Sequence, residues 1–301
     1  MRLLVPRSSP LLSVLTLVAG LAAAGLLGAC GPGPRDGGGL GGADGGLGGA
    51  DGGPGDGGGG TGDGGGGLGD GGGDVGVTYV YAHTASELYR VDPDTLAITR
   101  IGAFGWSNGS DQMTDLAVDK TGLMIGISFG SVYRIDPSTA QTTRLSSALS
   151  GDFNGLSFVP ASMLGTTGDD VLVGTRASDG VVSRIDPMTG QVTTVGNMGG
   201  FSSSGDLVAA SGTTVQTADN GFASDRLVRL APGTFAATAI GTSIGFSDIW
   251  GVAFWKSQIF GFTSSGEFIT IDPTTGVGTL VENNGPAWWG AAVTTSAPVL
   301  F

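Results

Sequence analysis

Along the second part of the chain, apolar and polar residues alternate in short runs, and the runs recur. In "ELYRVDPDTLAITRI", residues 87–101, the positions before the proline alternate as in a half-buried strand, and a second alternating run follows it. The phrase returns as "SVYRIDPSTAQTTRL", "VVSRIDPMTGQVTTV", "RLVRLAPGTFAATAI" and "EFITIDPTTGVGTLV". Asp-Pro-x-Thr between the runs is turn chemistry: proline fixes φ at the second turn position, and the aspartate side chain can accept backbone N–H groups. Each phrase therefore predicts a β-hairpin. Pro93, Pro137, Pro187, Pro232 and Pro273 stand 44, 50, 45 and 41 residues apart. A period near 45 built from short strands predicts propeller blades of about four strands each.

A second pattern lies upstream of the hairpins. It reads "DLAVD" from Asp115, "GLSFV" from Gly155, "DLVAA" from Asp206, "GVAFW" from Gly251 and "GAAVT" from Gly290. Short, apolar and rich in small residues, these suit the crowded inner strand of a blade. Further strands, "LMIGISF", "DVLVGTR", "TVQTADN" and "QIFGFTS", sit between inner strand and hairpin. At the ends the pattern is offset. The first hairpin has a strand before it ("TYVYAHT") but no inner strand, and the last inner strand has no hairpin after it. Joining the two completes a fifth blade and hides both sheet edges. The expected fold is all-β: a five-bladed β-propeller over residues 76–301, closed by a C-terminal inner strand, with a monomer expected.

The "IDPxTG"-type repeat of residues 76–301 resembles that of bacterial extracellular propellers, the YVTN-like and quinoprotein-like group, which includes many lipoproteins. The resemblance implies the fold and an extracytoplasmic setting; it implies no particular activity. The tryptophan docking motifs and cofactor sites of quinoprotein enzymes are not found, and His83 is the single histidine, so the histidine chemistry of streptogramin-lyase-type propellers is not expected.

The first part of the chain is different. Arg2 and Arg7 precede an uncharged apolar run from Leu11 to Leu27, the layout of a secretory signal. Leu27-Gly28-Ala29-Cys30 resembles a bacterial lipobox, and Cys30 is the single cysteine. The expectation is a signal peptide over 1–29, with lipidation at Cys30 and anchoring in the cell envelope by acyl chains. Gly31, rather than aspartate, after the cysteine favours the outer membrane. Residues 31–74 hold 27 glycines and seven aspartates. Such a segment buries too little apolar surface to offset its ordering entropy, so 30–75 is expected to be a disordered Gly/Asp-rich tether. Its r.m.s. reach would be roughly 35–40 Å. With a net charge of −13, the chain would repel phosphate backbones, and nucleic acid is not an expected partner.

The hairpins agree from blade to blade, so function is sought where the blades differ. Arg90, Arg134, Arg184 and Arg229 each stand two residues before the turn position, which is aspartate in the first three and Ala231 in the fourth, and a ring of structural ion pairs is expected from them. Asp115 and Asp206 begin inner strands, with Asn154 and Asp248 close to equivalent positions. Such side chains can point into the channel, and Asp115, Asn154 and Asp206 could hold a cation such as calcium; no other cofactor is expected. Five-bladed glycosidases use carboxylates at this mouth, so a carbohydrate-active hydrolase or lyase using Asp115 and Asp206 is the rival reading. A purely structural envelope component is the third. Aromatic residues gather in the loops before the inner strands: Trp106, Phe201, Phe246, Trp250, Trp288 and Trp289. Aromatics on a rim can stack on sugars or anchor a protein partner. The favoured reading is a binding or scaffolding head for a protein or glycan ligand, held to the membrane by the lipid at Cys30.

Overall fold

A computed structural model describes residues 80–210, 212–221 and 223–298. The expected signal peptide, the lipidation of Cys30 and the Gly/Asp-rich tether lie outside the described residues. Within them the chain forms five four-stranded antiparallel sheets. Blade one combines β1 (Val80–His83), β2 (Glu87–Val91) and β3 (Ile98–Ala103). Blade two is β4 (Asp115–Val118), β5 (Met124–Ile127), β6 (Val132–Ile135) and β7 (Thr142–Ser146). Blade three is β8 (Phe153–Val159), β9 (Val171–Arg176), β10 (Val181–Ile185) and β11 (Val192–Asn197). Blade four is β12 (Ser202–Ala210), β13 (Thr213–Asp219), β14 (Arg226–Leu230) and β15 (Ala237–Ile240). Blade five is β16 (Ile249–Trp255), β17 (Gln258–Thr263), β18 (Phe268–Ile271) and β19 (Gly278–Glu282). The last strand, β20 (Gly290–Ala292), pairs with β1 through Tyr81–Ala292, Ala82–Ala291 and His83–Gly290. It supplies the inner strand that blade one lacks, so both ends of the described chain meet in one sheet. The protein is a five-bladed β-propeller closed in the way the offset repeats require.

The repeated turn works through its aspartate. Asp92 Oδ1 accepts the N–H groups of Asp94 and Thr95, both at 2.9 Å, and Asp186 and Asp272 accept the corresponding pairs. Asp136 Oδ1 accepts the Ser138 N–H at 2.8 Å. The fourth residue after the turn aspartate closes back on its carbonyl and takes a left-handed φ: Leu96, Ala140, Gly190, Phe235 and Gly276, with φ of 63, 60, 73, 58 and 73°. In the fourth copy Ala231 replaces the aspartate, yet Phe235 N–H still reaches the Ala231 carbonyl at 2.8 Å. The backbone closure survives without the side chain. The expected ring of ion pairs is not formed as such: among the described residues, neither Arg134 with Asp136 nor Arg184 with Asp186 lies within 4.0 Å, because those carboxylates are turned onto backbone donors.

Packing lies between the blades. Adjacent inner strands approach so closely that glycine is required. A Cβ on Gly251 would stand 2.6 Å from the carbonyl carbon of Gly290, and one on Gly155 would strike the Gly205 carbonyl oxygen. The largest apolar cluster joins blades four, five and one. At its centre Phe262 stacks on Phe268 at 4.9 Å and meets the edge of Trp288 at 5.5 Å. The Asp-Pro turns lie on one face of the disc. The loops leading into the inner strands lie on the other, together with the turns from second to third strand.

Candidate functional site

That second face holds a cavity of about 680 Å³. Its base is set by the residue just before each inner-strand phrase. Aligned across the blades these are Thr114, Asn154, Gly205, Trp250 and Trp289, and four of the five line the cavity. Two of them are aimed there by β-bulges. Phe153 and Gly155 pair with successive residues of β9, Arg176 and Thr175, which leaves Asn154 as the extra residue. Ile249 and Gly251 pair with Thr263 and Phe262, which leaves Trp250 extra. A bulge breaks the two-residue alternation and turns a side chain out of the sheet, a device common beside sites. Trp250 meets Trp289 edge to face, with centroids 6.1 Å apart and planes at 89°. Phe153 and Phe129, the latter 66 % exposed, also line the cavity.

The cavity is also acidic. Asp219, Asp225 and Asp248 line it, and none of the described lining residues is Lys, Arg or His. Asp225 is only 3 % exposed. Its Oδ2 accepts the Ser204 hydroxyl at 2.7 Å and the Ile249 N–H at 2.8 Å. Burial, aided by the neighbouring charges of Asp248 and Asp219, pushes its carboxyl up to about 6. Asp248 takes a left-handed φ of 52° and its carbonyl accepts the Ser264 N–H. Asn154 Nδ2 donates to the Ser203 and Ser204 carbonyls, at 3.1 and 3.0 Å, so the amide orientation is fixed and its buried Oδ1 has no partner.

One residue further along each inner strand the picture reverses. Asp115, Gly155, Asp206, Gly251 and Gly290 occupy equivalent places around the axis, and the carboxylates fill space that the glycines leave. Asp115 and Asp206 are 0 and 1 % exposed, and neither lines the cavity. Each carboxylate accepts the N–H of its following residue at 2.7 Å, and both are close to the Leu156 N–H. Burial holds both carboxyls well above the usual range, and for Asp206 the charge of Asp115 adds to the effect. His83 is buried beside them, its Nε2 3.7 Å from Asp115 Oδ1. Its Nδ1 lies 2.9 Å from the Thr84 carbonyl, which can only accept, so Nδ1 carries the proton and Nε2 presents a lone pair. Burial lowers the His83 pKa to about 4. Gly290 makes the contact possible, since a Cβ there would strike both His83 Nε2 and Asp115 Oδ1.

The structure thus sorts the residues singled out in the sequence. Trp250, Trp289 and Asn154 line the cavity. Trp288 does not: it is 0 % exposed and packed against Tyr89 and Phe262, so no ligand reaches it there. Trp106 packs on Tyr133 and Phe104, Phe201 joins the cluster around Met198 and Phe235, and Phe246 packs into the cluster of blade five. None of these three lines the cavity. Asn154 stands one residue outward of the level of Asp115 and Asp206, so the three proposed cation ligands are not brought to one point. Among the described residues, no group of three or more His, Cys, Asp and Glu is arranged to hold a metal. The hydrolase reading also loses its access, because Asp115 and Asp206 are sealed below the cavity. Asp225 was not legible as a site residue. Its signal is a length difference: six residues separate second and third strands in blade four, against three or four in the other blades.

Fold and site define a five-bladed β-propeller with an aromatic and acidic funnel on the face opposite its repeated turns. No family model matches the chain, and no curated protein matches it. Among solved structures the chain is similar to one in a crystal structure of a nidogen/laminin complex, at TM-score 0.47 and 9 % identity, covering 73 % of this chain and 100 % of that one. The assignment of the fold rests on the sheet topology and not on this likeness.

Proposed function

We propose that the protein is a binding module of the bacterial cell envelope, anchored by a lipid at Cys30, whose propeller head holds a protein or glycan ligand in the funnel. The funnel carries this reading. Its volume lies within the range of about 300–1,000 Å³ usual for ligand sites, and it combines an aromatic wall with a few fixed polar groups. Its residues are also those in which the blades differ. The anchoring rests on the apolar leader, on the lipobox-like Leu27–Cys30 and on the single cysteine, with Gly31 favouring the outer membrane. The glycine-rich residues 31–74 would hold the head away from the bilayer.

The test of the binding reading is a glycan array together with a cross-linking pull-down, run on the parent and on a Trp250→Ala/Trp289→Ala variant. The ligand signal should fall by at least tenfold in the variant while the near-UV spectrum stays folded. A ligand retained at full affinity would move the site elsewhere. For the anchor, Cys30→Ser should shift the protein from the membrane fraction to the soluble one.

A further inference from the structure

We propose that the group recognised by the funnel is an organic cation, an ammonium or guanidinium. The proposal rests on the binding reading above and narrows it. A ligand entering the funnel meets two crossed indole rings and three aspartates, with no cationic side chain among the described lining residues. The nearby Arg176 is itself held by Asp179, with Asp152 at 3.8 Å, and does not line the cavity. An aromatic face attracts a cation through the ring quadrupole, and the attraction grows where water is excluded. The aspartates repel phosphate, sulfate and carboxylate ligands.

The carboxylates supply acceptors for such a ligand. Asn154 turns its amide N–H groups away onto two carbonyls, and its Oδ1 is buried without a partner. Asp225 has both of its described partners on Oδ2, which leaves Oδ1 without one among them. Carboxylate acceptors and aromatic faces in one cavity suit a ligand that brings N–H or N–CH₃ groups and a positive charge. Two sources carry this chemistry: a basic side chain presented by a protein, or a free amine or amino sugar.

The experiment follows intrinsic tryptophan fluorescence of the full-length chain during titration with tetramethylammonium, N-acetyl-lysine methylamide, a Gly-Lys-Gly peptide, glucosamine and maltohexaose. The cations should change the emission of Trp250 and Trp289, more weakly at 500 mM than at 50 mM salt. Maltohexaose should leave it unchanged. Asp225→Asn should weaken cation binding about tenfold. Its carbonyl can still take the Ser204 and Ile249 donors at the Oδ2 position, so its fold should persist. Asp248→Asn, at an exposed position where asparagine tolerates the left-handed φ, gives a second variant and should act in the same direction. Lysine peptides that bind where glucosamine does not would name the source as a protein side chain, and the reverse would name an amino sugar; either supports the proposal. If maltohexaose binds and both Asn variants keep that binding, the ligand is neutral and the proposal falls, while the funnel reading stands. If no probe binds and Trp250→Ala/Trp289→Ala keeps every partner found by pull-down, the funnel reading falls with it.

Discussion

Two layers of the propeller lie one residue apart on the same five inner strands and do opposite work. In the outer layer Thr114, Asn154, Trp250 and Trp289 face an open cavity. In the next layer Asp115 and Asp206 are sealed among Gly155, Gly251 and Gly290. Both layers involve carboxylates, but the surroundings differ. Asp225, beside the outer layer, borders solvent-filled space and faces two other aspartates. Asp115 has a buried imidazole beside it and a glycine that leaves room for the contact. Residue type alone therefore does not mark a site here; the level along the strand does.

The contrast is sharpest at Trp288 and Trp289, which are adjacent in sequence. Trp288→Ala removes a wholly buried ring from the Phe262 and Phe268 cluster and should cost about 3–5 kcal/mol of stability. Trp289→Ala removes a cavity-lining ring and should cost about 1 kcal/mol or less, while abolishing the fluorescence response to ligand. Urea unfolding of both variants gives the comparison directly. Equal losses would mean that Trp289 is packed as Trp288 is and does not line an open cavity.

Next in size is the crowding of the sealed layer. Gly251→Ala places a Cβ 2.6 Å from one backbone carbon and 2.7 Å from the Ala291 nitrogen, atoms that cannot swing aside. The expected loss is about 1–3 kcal/mol. A midpoint unchanged from the parent would show that the inner strands can spread.

The fold was legible because its information is repeated. Five copies of a turn phrase, each with the same alternation, set the blade number, and the offset at the two ends set the closure. The site was legible only in part. Trp250 and Trp289 stood out as loop aromatics, but Trp288, Trp106, Phe201 and Phe246 share that description and pack into the blades. The bulges at Asn154 and Trp250 decide the matter, and a bulge leaves no mark in a period-two pattern. Asn154 shows the same limit: its resemblance to Asp115 in position is off by the one residue that separates the layers. Asp225 is held by tertiary contacts from Ser204 and Ile249, and only an unusually long turn pointed towards it.

Asp225 also allows a pH test of the outer layer. The groups facing it are Asp248, Asp219, the Ser204 hydroxyl and the Ile249 N–H. With its pKa raised to about 6 from an ordinary 3.8, the folded chain keeps a proton over a range in which the unfolded chain has lost it. As far as this group goes, stability falls as the pH rises from about 4 to about 6. Asp225→Asn removes that fall. The variant should match the parent below pH 4 and exceed it by about 1–2 kcal/mol above pH 6. His83 contributes the opposite slope, since its lowered pKa favours the folded state as the pH rises, but it does so in both proteins and cancels from the difference. Urea unfolding at several pH values measures this, and a constant difference between the two proteins would contradict it.

The smallest effect belongs to the sealed layer, and its smallness is the point. Asp115 Oδ1, which already accepts the Leu116 N–H, lies 3.7 Å from His83 Nε2, too far for a hydrogen bond, so burial and not the imidazole raises the pKa of the carboxyl. A neutral asparagine has the same shape, and its carbonyl can accept the Leu116 N–H. Asp115→Asn should therefore change stability at pH 7 by less than about 1 kcal/mol and leave ligand binding intact. Asp115→Ala leaves the Leu116 N–H without its acceptor and opens a void, and should cost about 2–3 kcal/mol. A charged Asp115 paired with a protonated His83 predicts otherwise. In that case asparagine would strip a buried imidazolium of its counter-charge, the Asn and Ala variants would lose similar amounts, and the histidine of the parent, not of the variant, would titrate near neutrality or above in the NMR spectrum.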